Sequence, residues 1–283
     1  MGLTKKYFYD YDDYADGDKD GKTLLAEIME APELPEISEL IIGCWGESWD
    51  TGANDIIEGI IQNADKFQQI EHLFMGDMTF EECEVSWIIQ GDYSGLWQAL
   101  PALKALTIKG SSELNLGEIK HSSLESLEII CGGLPANVIE SIANAELPNL
   151  KKLNLYLGVE DYGWDGSTED IEKLLKSPVV SKLEYLGLCD SEIQDEIVEI
   201  VLKSPVLKHL KTLDFSKGTL SDKGAELILS HQSDLAHLEY LNLEYHFMSD
   251  EAMNKLKKLP IQINLDEQNE NDEEYGNYPM LTE

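Results

Sequence analysis

The sequence has no arginine. All 21 basic residues are lysines, set against 55 carboxylates, and the net charge is −34 over 283 residues. Bidentate recognition of phosphate or carboxylate, the work of a guanidinium fork, is therefore closed to this chain. A nucleic-acid binder needs a basic face and a protein held on an anionic membrane needs a polybasic patch, so both partner classes are disfavoured. A charged partner should be basic and electrostatically steered, although acidity also serves solubility alone. Cysteine is scarce: Cys44, Cys83, Cys131 and Cys189 form no CxxC and no tight framework, and read as reduced thiols of a cytoplasmic protein. No apolar run approaches the roughly 20 residues of a membrane helix. Met1–Tyr14 (MGLTKKYFYDYDDY) lacks the apolar core of a secretion signal, and Lys6 stands where a myristoylation motif wants Ser or Thr.

Catalytic signatures are missing too. The six histidines show no metal spacing, and no glycine-rich phosphate loop occurs. Cys44 and His72 sit five places apart along the repeat described next, roughly 16 Å at strand rise, too far for a thiolate–imidazole pair. Asp190, Asp214 and Glu244 would be solvated on an open face and keep ordinary acidity. The chain reads as a binding protein and not an enzyme.

What is present is a repeat. Apolar residues recur as LxxLxL at Ile37–Leu40–Ile42, Ile70–Leu73–Met75, Leu103–Leu106–Ile108, Leu124–Leu127–Ile129, Leu150–Leu153–Leu155, Leu183–Leu186–Leu188, Leu210–Leu213–Phe215 and Leu238–Leu241–Leu243, with a degenerate ninth copy at Ile263 and Leu265. Their starts lie 33, 33, 21, 26, 33, 27 and 28 residues apart, a leucine-rich-repeat period. The central Leu-x-Leu predicts a short strand with alternate side chains in the core. Successive parallel strands require a return path across the far side. Amphipathic spacing predicts returning helices over Asn54–Asp65, Pro135–Ala145, Thr168–Lys176, Asp195–Lys203, Asp222–Ser230 and Asp250–Lys258. Ser221 and Ser249 stand at N-cap places. The 21-residue step after Leu103 is too short for a helix and should return as an extended loop. The expected fold is an α/β leucine-rich-repeat solenoid, a horseshoe with a parallel sheet on its concave face and helices on its convex face. Residues 37–265 would form about nine repeats. Residues 1–36 would form an acidic segment with a capping helix at Leu24–Glu30, and 266–283 an acidic tail whose Tyr278–Leu281 folds back over the last repeat.

GTLSDKGAELIL and HFMSDEAMNKL, each behind a strand motif, resemble ribonuclease-inhibitor-type repeats. Trp45-Gly46-Glu47, Gly76-Asp77, EECEVSWI (Glu81–Ile88), Gly132-Gly133-Leu134, Tyr162-Gly163 and Asp190-Ser191-Glu192-Ile193 resemble an uncharacterised family of bacterial leucine-rich-repeat proteins, over roughly residues 37–283. The resemblance implies the fold and a bacterial cytoplasmic setting, and it implies no activity.

Three sets of residues are candidates for function. Outward strand positions give Glu39, His72, Phe74, Asp77, Lys109, Glu128, Asn154, Tyr156, Asp190, Asp214, Tyr240, Asn242 and Glu244, an acidic face with interleaved aromatics suited to a basic protein or peptide. Loops leaving the strands carry Trp45, Trp49 and Trp164, a rim for cation–π contact with lysine. Trp87 and Trp97 are expected to pack beneath their own loops. Asp16, Asp18, Asp20 and Glu27 match the spacing of an EF-hand calcium loop, which makes a calcium-responsive module the alternative reading. No other cofactor is implied, and the oligomeric state is not encoded in any motif.

Overall fold

The computed structural model describes residues 2–15, 17, 19–272 and 274–282. It divides into two compact units, one running to Ile130 and including Asn144–Asn149, the other formed by Cys131–Ala143 and Leu150–Thr282. In each unit parallel strands follow sequence order, and the return segments cover the face that their leucines line.

The first unit contains β1 (Leu3–Tyr7), α1 (Tyr11–Tyr14), α2 (Gly21–Glu30), β2 (Ile37–Ile42), α3 (Asn54–Gln62), β3 (His72–Met75), α4 (Leu96–Ala99), β4 (Ala105–Lys109) and β5 (Ser126–Ile130). Register aligns Leu40, Leu73, Leu106 and Leu127, and beside them Ile42, Met75, Ile108 and Ile129. All eight are buried, each contributing about 1.5–3 kcal/mol of transfer free energy. The same register forms two outward rows, Thr4–Glu39–His72–Ala105–Ser126 and Lys6–Ile41–Phe74–Thr107–Glu128. The short return between β4 and β5 contains no helix, as the 21-residue step predicts.

The second unit contains α5 (Ala136–Ala143), β6 (Lys152–Gly158), α6 (Thr168–Lys176), β7 (Tyr185–Ser191), α7 (Gln194–Lys203), β8 (Thr212–Asp214), α8 (Asp222–Ser230), α9 (Gln232–Leu235), β9 (Tyr240–Asn242), α10 (Asp250–Leu256) and β10 (Gln262–Asn264). The capping serines work as expected: the Ser221 hydroxyl accepts from the Lys223 amide at 3.1 Å and the Ser249 hydroxyl from the Ala252 amide at 3.2 Å. Each α8 and α10 start is also tied to the preceding helix. Asp195 accepts from the Ser221 and Gly224 amides at 3.0 Å, and Asp222 accepts from the Ser249 amide at 2.7 Å.

Two regions depart from expectation. Residues 1–36 are not only a cap, because β1 adds a strand beside β2. Helix α2 begins earlier than predicted and packs on α3, where a Cβ at Gly59 would sit 1.9 Å from Leu25 Cδ2. The tail is also built in. Its carbonyls at Asp266 and Glu267 accept from the backbone amides of Tyr245 and His246 at 2.9 and 3.2 Å. A turn then closes on Asp272 and Asn277, with Gly276 at φ 83°. Residues 278–282 come back over the ends of β7–β9, further into the unit than a cover of the last repeat would lie.

Candidate functional site

On the first unit the outward rows are of mixed charge, not acidic. Glu39 accepts from the Thr4 hydroxyl at 2.6 Å. Lys6, from the unanticipated β1, reaches the Asp77 carboxylate at 2.9 Å and the Asp77 carbonyl at the same distance. Lys109 folds inward to donate to the Met78 carbonyl at 2.5 Å, and burial pushes its ammonium below the usual lysine range. Of the two rows themselves, only Glu39 and Glu128 are carboxylates, beside exposed His72 and half-buried Phe74. On this unit the outward rows therefore lack the excess of carboxylates expected of the sheet face.

The segments between the strands of this unit carry its exposed aromatics, Phe8 at 47% among them. Tyr11 is 70% exposed, Trp49 41%, Phe80 65% and Trp87 58%. Tyr14 joins two of them edge-on, its ring centroid 5.7 Å from Tyr11 and 6.2 Å from Trp49; burial pushes its phenol up to about 12. Exposed Asp12, Asp13, Glu47, Asp50 and Glu81 stand in the same segments. The tryptophans are sorted differently from the sequence reading. Trp45 is buried, its indole N–H donating to the Thr51 carbonyl at 2.9 Å, so it is no rim contact. Trp97 is buried as predicted and donates to the Leu116 carbonyl at 2.8 Å. Trp87 is exposed because the short turn Val85–Trp87 turns Val85 and Ile88 inward in its place.

The second unit places its polar outward residues inside a network. Asp214 is buried and accepts from Tyr185 Oη at 2.7 Å, Asn242 Nδ2 at 3.1 Å and the Ser216 amide at 2.9 Å. Asn154 is buried opposite Gly187, where a Cβ would lie 1.8 Å from Asn154 Oδ1. Asp190 is fully buried. Asn154, Asp190 and Asp214 are therefore not the accessible contacts that strand alternation predicts, and Trp164, also buried, is not a rim residue. Tyr156, Tyr240, Asn242 and Glu244 remain half-buried.

A crystal structure of a Bacteroides fragilis protein matches 99% of this chain with a TM-score of 0.90 and 41% sequence identity, and the match covers 77% of that protein. The chain belongs to that protein's family. The family's bacterial source accords with the resemblance read from the motifs. Two further solved structures match at a TM-score of 0.40: a Listeria monocytogenes internalin (15% identity, 83% of this chain, 56% of that one) and human trophoblast glycoprotein (17%, 70% and 68%). No family model and no curated protein matches the chain.

The cysteines and two of the histidines, His121 and His246, lie in the packed interior. All four cysteines are buried and outside any disulfide, and burial raises the thiols of Cys44, Cys83 and Cys189, which suppresses thiolate chemistry there. His121 contacts the Leu100 carbonyl at 3.0 Å and His246 the Leu265 carbonyl at 3.2 Å, each bridging to a neighbouring repeat. Of the calcium-loop residues, Asp16 and Asp18 lie outside the described residues. Asp20 caps α2, accepting from the Thr23 amide at 2.9 Å, while Glu27 accepts from Tyr9 Oη at 3.0 Å and pairs with Lys19. Gly21, the sharp-turn place of a calcium loop, instead opens a helix that runs through Glu27. Among the described residues, no three His, Cys, Asp or Glu side chains gather to hold a metal, and no helix is long and apolar enough to cross a membrane.

Proposed function

We propose that this chain is a protein-binding repeat scaffold whose partner presents lysine or arginine side chains to the loops of the first unit. The observation that carries the reading is the set of exposed aromatics, Tyr11, Trp49, Phe80 and Trp87, in segments between strands that are rich in carboxylates and poor in lysine: Phe67–Leu103 contains no lysine. Large exposed apolar side chains grouped on a soluble body mark interaction sites. Aromatic faces beside carboxylates suit cations by quadrupole and charge together. The outward rows with Glu39, His72, Phe74 and Glu128 extend this surface. The helical returns of the second unit support reading its repeats as ribonuclease-inhibitor-like, a statement about repeat type and not about inhibition. Four buried thiols outside any disulfide support a reducing, cytoplasmic setting.

The test is titration of the native protein with a labelled lysine-rich peptide and, separately, a glutamate-rich one. The lysine-rich peptide should bind, weaken with added salt, and lose about tenfold in affinity on Trp49→Ala with Trp87→Ala. Equal binding of the two peptides, or affinity unchanged by the double substitution, would overturn the assignment.

A further inference from the structure

The second unit holds a different kind of site, already occupied by the chain itself. Three residues beyond the outward row Gly187–Asp214–Asn242–Asn264 stand Asp190, Lys217, Tyr245 and Glu267, all with positive φ (56°, 69°, 61° and 58°). Left-handed backbone is costly for residues with a Cβ, about 1–2 kcal/mol each. Four in successive repeats form a regular array, and the tail lies along three of them. The Leu281 amide donates to Asp190 Oδ1 at 2.8 Å, the Met280 amide to the Lys217 carbonyl at 2.8 Å, and Tyr245 Oη to the Tyr278 carbonyl at 3.1 Å. The Lys217 ammonium also sits 3.2 Å from the Met280 sulfur. Three of these four contacts read the tail's backbone, and the fourth reads the Met280 thioether.

The geometry is commensurate. Strands lie about 4.8 Å apart, so β7 to β9 spans about 9.6 Å, and three residues of extended chain cover about 10 Å. Residues 278 to 281 make that crossing. Asp190 adds an independent sign that the site is built for a ligand: its carboxylate is fully buried, and among the described residues its Oδ2 has no hydrogen-bond partner. A buried carboxylate oxygen left without a donor is costly, and an extended backbone in the site supplies amide donors beside it.

We propose that the array Asp190, Lys217 and Tyr245 is a binding site for an extended, uncharged peptide segment of another protein, of the type aromatic–proline–apolar–apolar, and that residues 278–281 (Tyr-Pro-Met-Leu) are its resident intramolecular occupant, displaced when the partner binds. The site is separate from the aromatic loops of the first unit, takes an uncharged ligand where those loops take a cation, and succeeds or fails independently of them. A tail tethered by a short turn competes at an effective concentration of about 1 mM, so a free peptide with a Kd of about 100 μM is held back about tenfold.

The experiment uses the full chain and a fluorescent synthetic peptide, Asn-Tyr-Pro-Met-Leu-Thr. Leu281→Pro removes the amide that Asp190 accepts and leaves the repeats untouched; this variant should bind the peptide about tenfold tighter than the native chain. Adding Tyr245→Phe, which keeps the ring and removes only the hydroxyl, should reverse much of the gain, with the native melting temperature checking that the fold is intact. The proposal is overturned if Leu281→Pro binds no tighter than native, or if Tyr245→Phe has no effect on peptide affinity. It is overturned in favour of tail exchange between copies if the native chain forms concentration-dependent dimers that Leu281→Pro abolishes.

Discussion

The two units use one repeat to opposite ends. In the first, the strands' outward rows are mixed in charge and the segments between strands leave five large aromatics in solvent, Phe8, Tyr11, Trp49, Phe80 and Trp87. In the second, the equivalent rows close into a hydrogen-bonded network centred on Asp214, and the chain's own tail lies across the strand ends. A parallel sheet thus presents an outward position without deciding whether that position is accessible. Accessibility is set by what neighbouring repeats place beside it and by whether a later segment returns over it.

The contrast can be strained most strongly at the tryptophans. Trp45→Ala should destabilise by about 3–5 kcal/mol, the range for a buried large aromatic. Trp49→Ala, four residues on and exposed, should stay within about 0.5 kcal/mol. Chemical denaturation of both variants checks this, and equal losses would show that Trp49 is structural and the open rim an illusion. Next in size is Asp214→Ala, which removes the acceptor of the buried Ser216 amide and of the half-buried Tyr185 hydroxyl and Asn242 amide and should cost about 1–3 kcal/mol. Glu128→Ala, at the same row position in the first unit, should cost under about 0.5 kcal/mol in the same measurement; a similar loss at both would erase the distinction between the faces.

The smallest effect is a pH dependence of the second unit. Burial raises the Asp190 carboxyl to about 8, opposed by the Leu281 amide, by Lys217 and by the Met280 amide. Burial also pushes up its titratable neighbours Cys189 and Tyr245. A folded-state value above the ordinary carboxylate range means that folding binds a proton at Asp190. That contribution to stability is complete at pH below the ordinary range and declines as pH rises through about 8. The melting temperature of the native chain should therefore fall more between pH 6 and pH 9 than that of Asp190→Asn. Equal falls in the two would leave Asp190 out of the pH dependence.

The strands that bury leucines were legible because alternation at period two admits one solution once one side is core. Strand β1 was not, since Leu3–Tyr7 is an edge strand without a fully buried side chain and so has no LxxLxL to read. It changed the charge of the face, because Lys6 meets Asp77. Outward direction was legible for Asp214, but its burial was not: its partners Tyr185 and Asn242 are 29 and 28 residues away. The loop tryptophans escaped prediction for a related reason, as no period governs a loop and only the turn at Val85–Trp87 decides which side chain goes in. The calcium pattern matched by spacing alone, whereas Asp20 favours the competing role of helix cap, which needs no ion. The motif Asp190-Ser191-Glu192-Ile193 was visible as a resemblance but gave no hint that the tail returns to Asp190.

The left-handed residues also bear on how this scaffold could change. In the first unit, Gly110 takes the corresponding place three residues beyond Thr107, at φ 100°, where glycine adopts that backbone freely. Glycine at Lys217 or Glu267 would relax the second unit in the same way and raise its melting temperature, yet it would leave the position without a side chain. A design optimised for thermostability alone would place glycine there. Aspartate, lysine, tyrosine and glutamate instead hold side chains on strained backbone, and the tail lies along the first three of these four places.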